Sequence, residues 1–389
     1  DLRSTYASQD AIIQTKKGIP MKSSLIVVGK ALRYNLPFLN YIHATITKHI
    51  DLPDQTVYID KNDKDLFFVL EESIAHADEI VIVTSHDSFN LVNKVIATLG
   101  EESLELKAGM LIPSKAVRFE ENSYLLARDG KHINVIKACE NKKLPLILIE
   151  NSNSSELFSI INIDEDSLKI LVEPLAQNYE IRITPTTIVD GWIMVEAISN
   201  KYGNLESFFK AIKSLLPTKV INHPDVIEHI SHCLQKEGKT LSIAESCTGG
   251  LIASMLTKRA GVSAIFKGGI VSYGNEIKES WLGVSPDTIE RFGAVSELCV
   301  REMLEGVLNA SLSDYAIATS GIAGPDGGSI EKPVGTVYVG ARNKEGHIMI
   351  ERLLLEGDRE YIQTQSAYHA LKLLLHVGEN IFLKSEKMS

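Results

Sequence analysis

The first part of the chain alternates short apolar runs with stretches in which apolar residues recur every three or four positions. The first pattern is typical of buried strands and the second of amphipathic helices. The predicted strands are Leu25–Val28, Thr56–Ile59, Glu79–Val83 and Leu144–Ile149, and the predicted helices are Leu36–His49 and Phe89–Leu99. Strands that alternate with helices are typical of an α/β layered sheet.

A shorter region follows, in which the elements come in a different order. The pattern predicts helices over Glu165–Gln177 and Leu205–Leu216, and extended segments over Tyr179–Thr184 and Trp192–Ile198. This order, helix–strand–strand–helix, predicts a small α+β module. The polar run at residues 151–155 before it suits a linker.

The last region returns to strands that alternate with helices. The predicted helices are Val226–Gly238, one that begins at Leu251, Val295–Ala310 and Arg359–His376, and the predicted strands are Thr240–Ala244, Ile265–Tyr273, Tyr315–Thr319, Gly335–Arg342 and His347–Leu355. We therefore predict an α/β protein with domains over residues 21–160, 161–220 and 221–389. Met21 opens directly onto a strand, so we interpret residues 1–20 as a tag or leader segment.

Charge and cysteine content argue against several classes of protein. The chain carries 40 Lys and Arg residues against 50 Asp and Glu residues, a formal charge of −10, which argues against a broad nucleic-acid surface. No apolar run approaches the roughly 20 residues of a membrane-spanning helix, so we expect no membrane partner. The four cysteines are scattered and form neither a disulfide framework nor a CxxC metal site. We expect a reducing cytoplasm as the compartment.

Three segments of the last region place a loop rich in glycine and hydroxyl residues after a predicted strand. They are Ala244–Gly250, Tyr273–Lys278 and Ser320–Gly328. Because ligands collect at the carboxyl ends of strands in an open α/β sheet, we expect the three loops to converge. Gly249 and Gly250 permit tight backbone curvature, and the free N–H groups at the start of the next helix would form an anion-binding end. The alternative is that these loops only connect elements, and neither GxGxxG nor GxxxxGK[ST] occurs.

Within these loops, Ser246 is the candidate nucleophile. A serine needs a base, and Lys278 can serve if burial lowers the pKa of its amine. Cys247 is a rival nucleophile, although no histidine lies in the three loops to activate it. The structural alternative is that Ser246 only caps the following helix. Arg359, before the last helix, could clamp a phosphate or pair with a neighbouring carboxylate.

Two pairs of histidines raise the alternative of a metal site. His229 and His232 lie three residues apart, and His369 and His376 lie on the last predicted helix. Neither HExxH nor a second ligand cluster at zinc spacing occurs. We therefore interpret both pairs as solvated helix faces and expect no metal ligands among them.

Six segments, in this order, resemble motifs of the CinA family. They read AESCTGG at 244–250, VSYGNEIK at 271–278, GAVSE at 293–297, SGIAGPDGG at 320–328, KPVGTV at 332–337 and GDR at 357–359. The match is to the family's C-terminal domain, the nicotinamide mononucleotide deamidase. The resemblance implies an α/β domain that hydrolyses nicotinamide mononucleotide to nicotinate mononucleotide and ammonia in pyridine-nucleotide salvage, with no cofactor and no metal. It also implies a homodimer.

The resemblance assigns roles to the residues of these motifs. It implies that Ser246 is the nucleophile, that Lys278 is its base, and that Tyr273 relays the proton or positions the pair. Arg359 would meet the phosphate of the substrate. The remaining substrate-binding residues would be Thr248, Gly249, Gly250, Asn275, Ser320, Gly321, Ala323 and Gly324.

Residues 21–160 resemble the family's N-terminal domain, which has a molybdopterin-binding (MoaB/MogA-like) fold, and residues 161–220 correspond to its KH-like connecting module. In full-length relatives the first domain is associated with ADP-ribose pyrophosphatase activity and a divalent metal. Its GGLGPT-type loop is replaced here by Thr84–Asn90, and the GxELLxGxxxxTN signature is reduced to Gly29–Asn35. We therefore expect a degenerate domain without this chemistry. The rival functions are a retained ADP-ribose pyrophosphatase, which would need the divalent metal, and a non-catalytic nucleotide-binding protein.

Overall fold

The computed structural model describes residues 21–50, 53–149, 155–199 and 202–383. The interpreted tag at residues 1–20 lies outside the described residues, as do residues 151–154 of the predicted linker. The chain forms two compact units, divided between Asn153 and Ser154. Within the described ranges, no helix has both the length and the apolar character needed to cross a membrane.

The first unit is built on a six-stranded sheet of order β2-β1-β3-β8-β7-β6. Strands β1, β2, β3 and β8 run parallel, whereas β6 and β7 are antiparallel additions. A separate hairpin pairs β4 with β5. The elements are β1 Met21–Val28, α1 Lys30–Tyr34, α2 Leu36–Ile46, β2 Gln55–Ile59, α3 Leu66–His76, β3 Ala77–Thr84, α4 Phe89–Leu99, β4 Leu104–Lys107, β5 Met110–Pro113, β6 Arg118–Glu120, β7 Ser123–Arg128 and β8 Lys131–Lys137.

The sheet of the first unit is covered on both faces, which explains the continuous apolar runs in its central strands. Leu25 and Val27 of β1 pack in the cluster that includes α2, whereas Ile26 and Val28 pack in the cluster that includes α4. The predicted helix Leu36–His49 is confirmed, although it ends at Ile46.

One predicted strand of the first unit is wrong. Leu144–Ile149 is largely buried but forms no strand among the described residues, and the sheet position is taken by β8 instead. The Leu148 N–H donates to Oδ1 of Asn134, a buried β8 residue, at 2.8 Å. The apolar run therefore packs against the sheet through a side-chain amide rather than joining it. The pattern missed β8 because a buried polar residue interrupts its apolar positions.

The second unit begins with a four-stranded antiparallel sheet of order β10-β11-β9-β12. All four predicted elements of this module are present, and two strands are added. Its first strand, β9, lies across the predicted domain boundary at residue 160, and the division into three domains stays a prediction. The elements are β9 Ser155–Ile161, α5 Glu165–Asn178, β10 Ile181–Val189, β11 Trp192–Ser199, α6 Leu205–Leu215 and β12 Val220–Ile221.

The rest of the second unit is a five-stranded sheet of order β14-β13-β15-β16-β17, in which β14, β13 and β15 are parallel. The other two strands are antiparallel. The α/β fold class predicted from the sequence is confirmed. The elements are α7 Val226–Lys236, β13 Leu241–Glu245, α8 Leu251–Thr257, β14 Phe266–Val271, α9 Asn275–Leu282, α10 Pro286–Phe292, α11 Glu297–Ser311, β15 Tyr315–Gly321, β16 Thr336–Asn343, β17 Ile348–Leu354, α12 Arg359–Val377 and α13 Glu379–Phe382.

Alternate residues of the central strands face two different helix layers. Ile243 of β13 packs in the cluster that includes α7, α8 and α12, whereas its neighbour Ala244 packs in the cluster that includes α11. The register pairs Glu245 with Val271 on one side and with Thr319 on the other. The carboxyl ends of three parallel strands therefore lie side by side at one edge of the sheet.

The small module and the five-stranded sheet share one apolar core. Trp192 and Val189 of the module belong to the same buried cluster as the inner face of α12. The Trp192 ring meets the Tyr368 ring edge-on at 5.5 Å between centroids. Lys372 Nζ donates to the Asp190 carbonyl at 3.0 Å. These contacts place α12 between the module and the sheet.

The prediction of a solvated helix face is wrong for His369. This residue is only 6% exposed, and its Nδ1 lies 3.8 Å from Glu351 Oε2. His376 is half-buried and bonds Asn162 of the module. His229 is also half-buried, with Nε2 at 2.7 Å from the Phe382 carbonyl. Among the described residues, no cluster of His, Cys, Asp and Glu side chains is arranged to hold a metal ion.

Candidate active site

The site lies where β13, β14 and β15 end together. Ser246 follows β13 directly, and its N–H donates to the Thr319 carbonyl at 3.0 Å. On the other side, the Ser272 N–H donates to the Glu245 carbonyl at 2.7 Å. Backbone hydrogen bonds thus tie the three strand ends to one another. The three predicted loops converge as the strand topology requires.

Ser246 and Lys278 are in direct contact. Lys278 Nζ lies 3.0 Å from Ser246 Oγ, and the side chains are 1% and 8% exposed. The structure corrects one detail of the sequence analysis, since Lys278 lies on α9 and not in a loop. A Cβ at Gly306 of α11 would meet the Leu282 carbonyl at 1.9 Å. Only glycine therefore lets the end of α9 approach α11 this closely.

The surroundings of Lys278 favour a neutral amine. Burial lowers the pKa of Lys278, and Cys299, Cys247 and Glu276 oppose this shift only in part. Nζ also contacts the carbonyl oxygens of Ser272 at 2.6 Å and Tyr273 at 3.1 Å. A neutral amine has two N–H groups for the two carbonyls and one lone pair left for the Ser246 hydroxyl. The pair can therefore move the hydroxyl proton to Nζ.

The predicted anion-binding end of α8 is wrong, because a side chain of the protein occupies it. Glu245 is 1% exposed, and its carboxylate accepts from the N–H groups of Gly250 at 3.0 Å, Ile252 at 3.1 Å and Ala253 at 2.9 Å. The helix dipole and the orphan N–H groups of the first turn are thus satisfied internally. These N–H groups are therefore not free to bind another anion.

The surroundings of Cys247 disfavour its thiol as a nucleophile. It is 4% exposed, and burial raises the pKa of its thiol to about 12. The thiol stays protonated near neutral pH and is a weak nucleophile in that form. Its backbone carbonyl accepts a hydrogen bond from Gln363 Nε2 at 2.7 Å. Gln363 was not found by sequence reasoning.

Arg359 is the first residue of α12 and faces the site. Its Nη1 donates to the Gly324 carbonyl at 2.5 Å, and its Nη2 donates to the Tyr273 hydroxyl at 3.0 Å. Asp358 caps α12 and does not pair with Arg359, since the Asp358 carboxylate accepts from the Tyr361 N–H at 2.8 Å. The Tyr273 side chain is 62% exposed, and its hydroxyl contacts Arg359 rather than the serine–lysine pair.

The other residues assigned to substrate binding divide into buried and accessible ones. Thr248 and Ser320 are buried and engaged: the Thr248 hydroxyl bonds the Thr319 hydroxyl at 2.7 Å, and the Ser320 hydroxyl donates to the Ala294 carbonyl at 2.7 Å. Ala323 and Gly324 are buried as well. Gly249, Gly250, Gly321 and Asn275 are partly or fully exposed around the same edge.

At the carboxyl ends of the parallel strands in the first unit, the polar side chains bond one another. Ser85 Oγ lies 2.6 Å from both Asp87 Oδ1 and Ser88 Oγ, and Asp87 pairs with Lys61. A Cβ at Gly29 would lie 2.4 Å from Ser85 Oγ. The hydrogen bond from Lys61 is the main cause that lowers the pKa of Asp87 to about 2. The polar side chains at this edge therefore bond one another, close to the Gly29 backbone.

Comparison with known proteins gives consistent results for the second unit. Residues 224–377 match the family model of the CinA C-terminal domain. A protein of Enterobacter agglomerans described as nicotinamide-nucleotide amidohydrolase PncC is 49% identical over 146 residues, which is 38% of this chain and 89% of that protein. A putative competence-damage inducible protein of Caldanaerobacter subterraneus is 30% identical over 329 residues, 79% of each chain.

Other matches differ in how much of each chain they cover. A similar putative competence-damage inducible protein of Thermoanaerobacter pseudethanolicus is 32% identical over 265 residues, and the chain covers 64% of its length. Among solved structures, a competence/damage-inducible protein of Agrobacterium tumefaciens shows 38% sequence identity and a TM-score of 0.38, covering 40% of this chain and 97% of that chain.

Proposed function

Because the chain belongs to the CinA family, we propose that its C-terminal region is an amidohydrolase that converts nicotinamide mononucleotide to nicotinate mononucleotide and ammonia. The observation that carries this proposal is the 3.0 Å contact between Ser246 Oγ and a buried Lys278 Nζ. The name of the amidohydrolase relative, which is 49% identical over this region, supports the choice of substrate.

The reaction begins with the transfer of a proton from Ser246 to Lys278. Ser246 Oγ attacks the carboxamide carbon, and the hydroxyl proton moves to Nζ. The tetrahedral intermediate collapses when the C–N bond breaks, and the ammonium of Lys278 returns the proton to the leaving nitrogen as ammonia departs. Water then attacks the acyl-enzyme with Lys278 again as base, which releases the carboxylate and restores the serine. The lowered pKa of Lys278 suits both directions of proton transfer.

Arg359 is the residue best placed to bind the phosphate of the mononucleotide. Its present partners, the Gly324 carbonyl and the Tyr273 hydroxyl, are neutral. A phosphate dianion forms stronger, charge-assisted hydrogen bonds with a guanidinium than either of these groups does. The phosphate therefore binds by displacing them, at the opening of the site and away from the occupied end of α8.

The test is ammonia release from nicotinamide mononucleotide by the full chain and by Ser246→Ala. We expect the variant to keep its melting temperature and to lose at least about 10³-fold in kcat, as serine nucleophiles do when removed. Ser85→Ala, which removes the serine of the other sheet edge, is the matched control and should keep full activity. Near-wild-type turnover by Ser246→Ala would remove the mechanism. Release of AMP from ADP-ribose in the same assay with added divalent metal would instead support the pyrophosphatase alternative.

A further inference from the structure

Gln363, one helical turn after Arg359, connects helix α12 to the turn at residues 246–250, which carries the proposed nucleophile. Its Nε2 donates to the Cys247 carbonyl at 2.7 Å and so joins residues 116 positions apart. We propose that Gln363 is a positioning residue that aims the N–H of Thr248 at the carboxamide oxygen of the substrate. This inference rests on the proposed function and adds an oxyanion donor to it.

The N–H groups around the turn can be accounted for one by one. The N–H of Gly249 donates to Ser246 and that of Leu251 to Thr248, while three others in the first turn of α8 donate to Glu245. The Cys247 N–H donates to no other residue among those described, and its nearest candidate acceptor is the thiol of Cys247 itself. Among the described residues, the Thr248 N–H has no acceptor. A buried N–H is rarely left unpaired, so this one is available to the negative charge that develops during acyl transfer.

The connection between Gln363 and this N–H is the peptide plane. The Cys247 carbonyl and the Thr248 N–H belong to the same trans peptide, so they point in opposite directions and rotate together. When Gln363 holds the carbonyl on the α12 side, the N–H is fixed toward the other side. Without this hydrogen bond the Cys247–Thr248 peptide plane can tilt, and the Thr248 N–H no longer points in a fixed direction. Oxyanion stabilisation depends on such preorganisation.

The experiment compares two glutamines of the same helix. Gln363→Met keeps the length of the side chain but removes the donor. Gln365→Met is the matched control, because the Gln365 amide also donates to a backbone carbonyl, that of Glu356 at 3.0 Å, outside the site. We expect Gln363→Met to lower kcat for nicotinamide mononucleotide by about 10- to 100-fold, less than the roughly 10²–10³-fold lost when an oxyanion donor is removed. KM and the melting temperature should stay close to wild type, and Gln365→Met should match wild type throughout.

Each outcome separates this inference from the proposed function. A wild-type chain that releases no ammonia contradicts the proposed function, and the inference with it. An active wild type with an equally active Gln363→Met contradicts the inference alone. A Gln363→Met variant in which kcat, KM and melting temperature change together assigns the residue to packing and also overturns the inference.

Discussion

Two sheet edges of this chain carry a serine, a lysine and a carboxylate, yet they differ in which group the carboxylate binds. In the first unit, Asp87 pairs with Lys61 and also accepts from Ser85. In the second unit, the Glu245 carboxylate is turned onto the first turn of α8, where three backbone N–H groups hold it. The hydrogen-bond partners left to Lys278 are neutral.

This difference bears on the protonation state of Lys278. A carboxylate in contact favours the charged ammonium, whereas burial among neutral groups favours the free amine. Lys278 therefore combines a lowered pKa with direct access to a hydroxyl. The same three residue types give an ordinary ion pair at one edge and a candidate base at the other, because backbone N–H donors at the start of α8 hold the Glu245 carboxylate away from the lysine.

The largest expected effect comes from removing Lys278, with the removal of Lys61 as the control. Lys278→Met should lower kcat by about 10²–10⁴-fold, the usual contribution of a positioned general base. Lys61→Met should leave the deamidase rate unchanged, since its partner lies in the other unit. Both rates are measured as ammonia release. Full activity of Lys278→Met, or an equal loss in Lys61→Met, would remove the distinction between the two edges.

The pH dependence sharpens the same comparison. Only the neutral amine of Lys278 accepts the serine proton, so kcat/KM should rise with pH up to an inflection below about 10.4, the ordinary lysine value. At a pH between the lowered pKa of Lys278 in the folded protein and its ordinary pKa, this lysine is protonated in the unfolded chain and neutral in the folded one. The free energy of unfolding of wild type relative to Lys278→Met should therefore increase with pH across that window. A flat profile in both measurements would show that Lys278 is charged in the folded protein.

Removing the guanidinium of Arg359 should affect binding more than chemistry. Charge-assisted hydrogen bonds contribute about 1.5–3 kcal/mol, so Arg359→Met should raise KM for nicotinamide mononucleotide by about 10- to 100-fold. The rate with nicotinamide riboside, which lacks the phosphate, should not change between wild type and variant. Arg352→Met is the control, because Arg352 donates to the Glu331 carbonyl at 3.1 Å outside the site. An equal loss with both substrates would place the phosphate elsewhere.

The smallest effect is expected at Cys247. Because burial keeps its thiol protonated, Cys247→Ala should retain kcat. The lost packing should cost about 1 kcal/mol in the free energy of unfolding, a typical value for a single substitution. Denaturant unfolding and steady-state kinetics of the same preparation measure both. A loss of kcat comparable to that of Ser246→Ala would reinstate the thiol as the nucleophile.

Local patterns predicted most of the second unit, since the strands before each motif are short, apolar and bounded by glycine. The convergence of the three motif loops also followed, because parallel strands end at one edge. In the first unit the same reasoning failed at Leu144–Ile149, where burial resembles a strand but the pairing partner is missing among the described residues. Apolar runs report burial and not hydrogen bonding.

Other parts of the site depend on distances that no local pattern contains. Ser246 and Lys278 are 32 positions apart, and their contact depends on the close approach of α9 to α11 at Gly306. The sequence motif includes Glu245 but does not show that its carboxylate turns back onto α8. His369 looked solvated because a histidine on a helix usually is, and only the tertiary contacts with Glu351 and β17 show its burial.

The shared core between the small module and α12 determines how the chain can be divided. Trp192 packs against Tyr368, and α12 carries Arg359 and Gln363 at its other end. A fragment that began after β12 would expose the flank of this helix to solvent and loosen the support of both site residues. A loss of activity in such a fragment would reflect lost packing against α12 and not the loss of a catalytic group. A fragment of this chain that starts at residue 155 keeps these contacts.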